Sequence, residues 1–135
     1  MNANDFTNDI SEEIQAIVTQ AEEALEKTGV YGWNLVTAAT PVLTGRARAS
    51  WLLNVDFAKD TTVPPVKSKT LVYADPVVPK VSFDINRNQA LVVSNNVEYI
   101  DVLEHGGGRR TAFAMVATAK PKIDRELNRR LKKIK

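Results

Sequence analysis

Residues 33–57 read WNLVTAATPVLTGRARASWLLNVDF, and within them the hydrophobic period changes once. Up to Thr40, the residues Trp33, Val36, Thr37 and Thr40 recur at three- and four-residue steps, the spacing of one helical face. Pro41 ends that pattern, because the residue before a proline is pushed out of the α region. From Ala49 the step becomes two, with Trp51, Leu53, Val55 and Phe57 on one side and Ser50, Leu52, Asn54 and Asp56 on the other, as in a half-buried strand. Gly45, after Pro41-Val-Leu-Thr, suits a tight turn with positive φ. A helix passing into a strand puts the chain in a mixed α and β class.

Toward the N-terminus, Ile10, Ile14, Ile17, Val18, Ala21 and Leu25 form one helical stripe, with Glu12, Glu13, Glu22, Glu23 and Glu26 mostly elsewhere. Asp9 followed by Glu12 has capping-box spacing and predicts the start of that helix. Gly29 and Gly32 interrupt the pattern, so the residues from Trp33 onward are either a second helix or the same helix bent. Toward the C-terminus, Val81, Phe83 and Ile85 alternate, Asn86-Arg87-Asn88 supplies turn chemistry, and Ala90-Leu-Val-Val-Ser94 is the returning strand of a hairpin. Three antiparallel strands follow, and four with a short edge strand at Val72 and Tyr73.

Residues 59–80 hold four of the six prolines, Pro64, Pro65, Pro76 and Pro79, a density that blocks a central strand. This stretch reads as an extended arm that reaches a partner, or as a plain long loop. Val97, Tyr99, Ile100 and Leu103 fit a short turn of helix stopping at Gly106-Gly107-Gly108, and a terminal helix carries Phe113, Val116, Ala117, Ile123, Leu127 and Leu131. Pro121 is expected to kink or divide it. The expected fold is α+β, one domain over residues 1–135. In it, an antiparallel sheet of three to four strands is packed by N-terminal and C-terminal helices, with a long extended loop and a basic segment over 109–135.

With 135 residues and 44% apolar content, such a domain buries about two-thirds of the surface of its unfolded chain without staples. The absence of Cys excludes a disulfide scaffold, thiol catalysis and zinc ribbons, and a single His leaves little for a His-based metal site. No cofactor is expected. No apolar run approaches the roughly 20 residues that span a bilayer, and the acidic N-terminus lacks a basic signal region, so a soluble cytoplasmic chain without membrane contact is expected. The net charge of +2 conceals a division: residues 1–30 carry seven acids and one base, residues 31–108 seven of each, and residues 109–135 ten bases and two acids. The ends therefore stand at −6 and +8. That asymmetry fits a nucleic-acid tail, acidic and basic surfaces meeting between subunits, or two solvated helix faces.

Three constellations bear on chemistry. Glu98, Asp101 and Glu104 lie at i, i+3 and i+6 beside His105, a spacing open to a metal site or to an acid–base pair of Glu104 and His105. Three acids on one exposed turn are more often a solvated face, and consecutive helical residues diverge. The triple glycine before Arg109 and Arg110 lacks the Lys-Ser/Thr of a P-loop and reads as a hinge. Arg125, Arg129, Lys132 and Lys133 recur along one face of the terminal helix, without aromatics, so any DNA contact there is electrostatic and non-specific.

Ala38-Ala-Thr-Pro41-Val-Leu-Thr-Gly45-Arg46-Ala-Arg48-Ala-Ser50-Trp51 resembles the TP-V-x-TG-x-L-R-x-S segment of the tail-completion, or head–tail joining, proteins of long-tailed bacteriophages. These are small minor tail and neck proteins. Val93-Ser-Asn-Asn-Val97-Glu-Tyr99-Ile-Asp-Val-Leu103-Glu104-His-Gly106 is similar to the family's second signature, an N-x-x-x-Y segment leading to E-x-G. The resemblance covers roughly residues 30 to 131. It departs from the family at Ala47, where a leucine is common, at Ile100, where a small residue is usual, and at Gly107, where threonine is usual.

The resemblance implies a structural virion protein with no enzymatic activity, assembled in the host cytoplasm and residing in the phage tail or neck. It implies a homo-oligomeric ring, expected to be a hexamer, between a head-completion, stopper or connector protein and a tail terminator or tail tube protein. The residues expected to serve assembly are Arg46, Arg48, Tyr99 and Glu104 in the signatures, Arg109 and Arg110 after the hinge, and the arm at Pro64, Pro65, Pro76 and Pro79. Arg125, Arg129, Lys132 and Lys133 would meet another subunit or passing DNA. Alternatively, Trp51 and Tyr99 belong to the core and Arg48 pairs with Glu104 within the chain. A different class of reading is a small non-specific DNA-binding protein using its basic C-terminal helix.

Overall fold

The computed structural model describes residues 2–41, 45–56, 76–107 and 111–134. Its frame is a 37-residue helix, α1 (Ala3–Ala39). Its N-cap, Asn2, lies seven residues before the expected Asp9 cap. The Asp5 N–H donates to Asn2 Oδ1 at 2.9 Å and the Asn2 N–H to Asp5 Oδ2 at 3.4 Å, a reciprocal capping box. Its end agrees with the expectation from Pro41: Thr40 is extended, with ψ 126°.

α1 runs through Gly29 and Gly32 as one helix. Each glycine costs a helix about 1 kcal/mol relative to alanine, and close packing explains both. A Cβ on Gly29 would lie 3.2 Å from Leu91 Cδ1 and 3.4 Å from Leu53 Cδ1, whereas one on Gly32 would lie 2.9 Å from Ile123 Cδ1. The sheet and the C-terminal helix thus approach the α1 backbone at two neighbouring positions.

Gly45, at φ 89°, turns the chain into the single-turn helix α2 (Arg46–Ala49). β1 (Leu52–Val55) follows and pairs antiparallel with β2 (Leu91–Ser94), placing Leu53 opposite Val93 and Val55 opposite Leu91. Among the described residues the sheet has these two strands, fewer than the three to four expected. The expected hairpin partner of β2, residues 81–85, carries no ladder, and its turn is the 3₁₀ segment Ile85–Arg87. The reason is a competing set of acceptors. The Phe83 N–H donates to Glu26 Oε1 at 2.8 Å and the Ile85 N–H to Glu22 Oε2 at 3.1 Å, so α1 carboxylates satisfy donors that a strand would otherwise have paired. Val72 and Tyr73, the other expected strand, lie outside the described residues.

α3 (Ile100–His105) stops at Gly106, and α4 (Met115–Lys132) packs antiparallel along α1, with Met115 against Thr40 and Ile123 over Gly32. α4 continues through Pro121, where a kink or a division was expected, so the helix is not divided there. Met115 and Ala119 before the proline are buried and Ile123 after it joins the core, so contacts on both sides hold the helix in register. Trp33, Val36, Ala47, Trp51, Leu53, Leu103, Met115 and Ala119 form that core. Both indoles are satisfied: Trp33 Nε1–H donates to the Trp51 carbonyl at 3.0 Å and Trp51 Nε1–H to Thr40 Oγ1 at 2.7 Å. The Thr40 hydroxyl in turn donates to the Val36 carbonyl at 2.6 Å. Among the described residues no helix is long and apolar enough to cross a membrane.

Candidate functional site

Residues 45–51 and 93–106 lie far apart in sequence and are folded against each other. Gly45 directs Arg46 inward, where the residue is only 8% exposed. Its guanidinium meets Glu98 with both prongs, Nη1 to Oε2 at 2.7 Å and Nη2 to Oε1 at 3.1 Å, and lies 5.9 Å from the centroid of the Tyr99 ring. Behind the pair, Asn95 Nδ2–H donates to the Ala47 carbonyl at 2.7 Å while its Oδ1 accepts from the Val97 N–H at 3.1 Å. Ser50 Oγ closes α2 on the Arg46 carbonyl at 2.7 Å.

The pair is lopsided, with the Arg46 side chain 9% exposed and that of Glu98 68%. Hydrogen bonds from Arg46, with a smaller contribution from backbone, hold the Glu98 carboxyl below its ordinary value of 4.5. A carboxylate so held accepts a proton poorly and has its lone pairs engaged. Its chemistry is that of a fixed joint with one acidic edge in water.

Glu104 serves a different neighbour. Its carboxylate accepts from the Val116 N–H at 2.9 Å and the Ala117 N–H at 3.1 Å, the second and third residues of α4. Ala114, at the cap position with φ 47°, has no side chain able to cap, and so α3 supplies the group. The Phe113 and Ala114 N–H groups add bonds to the Leu103 and Glu104 carbonyls at 2.8 and 3.0 Å. Where an internal pair of Arg48 with Glu104 was the alternative to an assembly role, the ion pair found joins Arg46 to Glu98, and Arg48 sits half-buried on α2. Tyr99 is 37% exposed and stands outside the core in which Trp51 lies.

Glu98 and Glu104 thus serve different partners, Arg46 and the start of α4, and among the described residues no three His, Cys, Asp or Glu side chains group as metal ligands would. Pro76 and Pro79 are half-buried, and Pro79 borders an open groove of about 570 Å³ with Glu26, Tyr31 and Arg130. Pro64, Pro65, Arg109 and Arg110 lie outside the described residues. Arg125, Arg129, Lys132 and Lys133 are exposed along α4. Part of that charge is neutralised within the chain: Arg129 Nε donates to Glu126 Oε2 at 3.1 Å, and Arg130 Nε stands 2.8 Å from Glu126 Oε1. The bond to Arg129 lowers the Glu126 carboxyl, and the same contact raises Arg129.

The first half of the apolar stripe on α1 is exposed. Phe6, Ile10, Ile14 and Ile17 are 58%, 40%, 56% and 46% exposed. On the same side of α1 further along, Ala24, Thr28 and Gly32 are buried. The signal was side-chain size: small residues mark where another helix comes close, large ones where none does. Compared with family models, curated proteins and solved structures, the chain finds no match. Its fold and its joint define a small α+β scaffold whose best-built polar groups tie chain segments together.

Proposed function

We propose that this chain is a tail-completion or head–tail joining protein of a tailed bacteriophage. It forms a ring, expected to be a hexamer, at the neck, between a head-completion, stopper or connector protein and a tail terminator or tail tube protein. The reading assigns no reaction to the chain, and a sheet of three to four strands remains part of it. The observation that carries it is the joint: the two segments resembling the family signatures meet through Arg46 with Glu98 and Asn95 with Ala47, which gives their co-occurrence a structural reason. The unlike charges of the two ends add support, because a closed ring requires a surface that meets a different surface on the next subunit. Electron microscopy of particles lacking this protein tests the proposal. Separate tails and filled heads are expected, and normally joined virions would sink it.

The exposed cations of α4 favour a second reading, non-specific binding of DNA. Such a protein keeps submicromolar affinity near physiological salt, with a steep fall as salt rises. A ring subunit shows no such affinity.

A further inference from the structure

We infer that the seam between α1 and the last turns of α4 is a binding site for a nucleoside phosphate, with the ring in an apolar bay beside Tyr31 and the phosphate among Lys27, Lys80 and Arg130. The site goes beyond the neck reading and beyond DNA held on the outer cations of α4, and depends on neither. Two grooves adjoin along the seam, and Lys27 and Arg130 line both. The larger, of about 570 Å³, is walled by Val30, Tyr31, Pro79 and Val81, all half-buried, with Lys80 as a third cation. The smaller, of about 300 Å³, adds Arg129 and Lys133. Arg129 is raised chiefly by Glu126 and to a lesser degree by the Tyr31 phenol, so the aromatic residue of the first groove lies within electrostatic reach of a cation of the second.

Cations gather here from three parts of the chain. Arg129, Arg130 and Lys133 stand at the end of α4, where positive charge complements the helix dipole. That explanation does not reach Lys27, well inside α1, or Lys80, on the segment leading to Phe83. The carboxylates lining the two grooves are Glu23 and Glu26; Glu126, paired with Arg129 and Arg130, lines neither. Glu26 gives one oxygen to the Phe83 N–H at 2.8 Å, which holds the Lys80 segment against α1. Glu23 precedes Lys27 by one helical turn without pairing with it, and among the described residues Lys27, Lys80 and Lys133 meet no acid. Arg130 Nε lies 2.8 Å from Glu126 Oε1 and yet makes no hydrogen bond. Five cations therefore face two lining carboxylates. The excess suits a phosphate monoester, which carries about two negative charges, and exceeds what one peptide carboxylate requires. The apolar wall with its tyrosine favours an ester bearing a flat ring over bare phosphate, because a base gains by stacking on an aromatic side chain. The larger groove also has the size of a small-ligand site.

Titration of the full chain with adenosine monophosphate at low salt, followed by amide and aromatic NMR spectra, tests the site. Signals of Lys27, Tyr31, Lys80 and Arg130 are expected to shift, with a dissociation constant on the order of 0.1 mM. Adenosine and inorganic phosphate should each bind about tenfold more weakly, since each lacks one half of the recognition. Lys27→Glu and Lys80→Glu, at exposed positions, and Tyr31→Leu should each weaken the nucleotide by about tenfold while melting like the parent. Lys122→Glu and Arg125→Glu, at positions lining neither groove, should leave binding unchanged. A thymidine oligonucleotide of about ten residues identifies the source: binding about tenfold tighter than the mononucleotide marks a nucleotide within a strand, anything less a free one, and both uphold the site. Inorganic phosphate binding as tightly as the nucleotide, an equal loss from Arg125→Glu, tighter binding of a glutamate-rich peptide, or no shift at about 10 mM nucleotide overturns the proposal. Such a failure leaves the particle experiment and duplex binding on α4 to be judged on their own results.

Discussion

Replacing Gly32 by alanine sets two effects against each other at one atom. Alanine favours the helix by about 1 kcal/mol over glycine. The new Cβ, however, lies 2.9 Å from Ile123 Cδ1 and 3.3 Å from its Cγ1, and forcing a methyl group into a packed contact costs about 1–3 kcal/mol. Gly32→Ala is therefore expected to be neutral or to destabilise by up to about 2 kcal/mol. Gly29→Ala brings the same helical gain against a looser contact, 3.2 Å from Leu91 Cδ1, a terminal methyl that needs to give only a few tenths of an ångström. It should raise stability by several tenths of a kcal/mol to about 1 kcal/mol. Ile123→Val removes the offending Cδ1; alone it should cost about 1 kcal/mol, and combined with Gly32→Ala it should recover about that much. Urea titrations followed by circular dichroism supply the double-mutant cycle. Additivity within about 0.3 kcal/mol, or an equal gain from both glycine substitutions, would refute the claim that Gly32 is kept for the approach of α4.

Glu98→Gln should lower the melting temperature at neutral pH and leave it unchanged at strongly acidic pH. The folded carboxyl lies below its ordinary value of 4.5, so its contribution is full above that pH and lost as pH falls through the lower folded value; melts across pH 2 to 7 check this. Arg46→Lys keeps the charge and loses the two-pronged fork, and should melt lower than the parent by the same assay. Glu104→Ala should destabilise by about 1 kcal/mol through loss of the α4 cap, with faster amide exchange at Val116 and Ala117. Pro121→Ala restores a helical donor and removes a ring from the α4 interior, and should stabilise by about 1–3 kcal/mol in a urea titration.

The class of the fold was legible at 33–57 because proline, positive-φ glycine and a change of period act within a few residues of one another. The elements that went astray depended on partners distant in sequence. Residues 81–85 alternate like a strand, yet their donors go to Glu22 and Glu26, some 60 residues earlier, a choice that no local period encodes. Gly29 and Gly32 look like interruptions in one dimension and are contact points in three. At the joint, Arg46 was a named candidate, but its partner Glu98 had been grouped with Asp101 and Glu104, because i, i+3 spacing shows only which residues share a turn. Glu104 had been read as a possible assembly or metal group; its capping role arises from the missing cap at Ala114, a defect visible once the positive φ there is known.

α1 carries two unlike burdens along its length. Residues 20–39 supply what the fold needs, through Ala24, Thr28 and Gly32 beneath α4 and through Glu22 and Glu26 holding residues 83 and 85. Among the described residues, Asp9, Glu12 and Glu13 take no such part. A helical extension of some four turns is marginal in water on its own. Here the Asn2–Asp5 capping box steadies its start and the covered half of α1 supplies the nucleus. Four large apolar side chains on that extension forgo the burial that normally offsets ordering them.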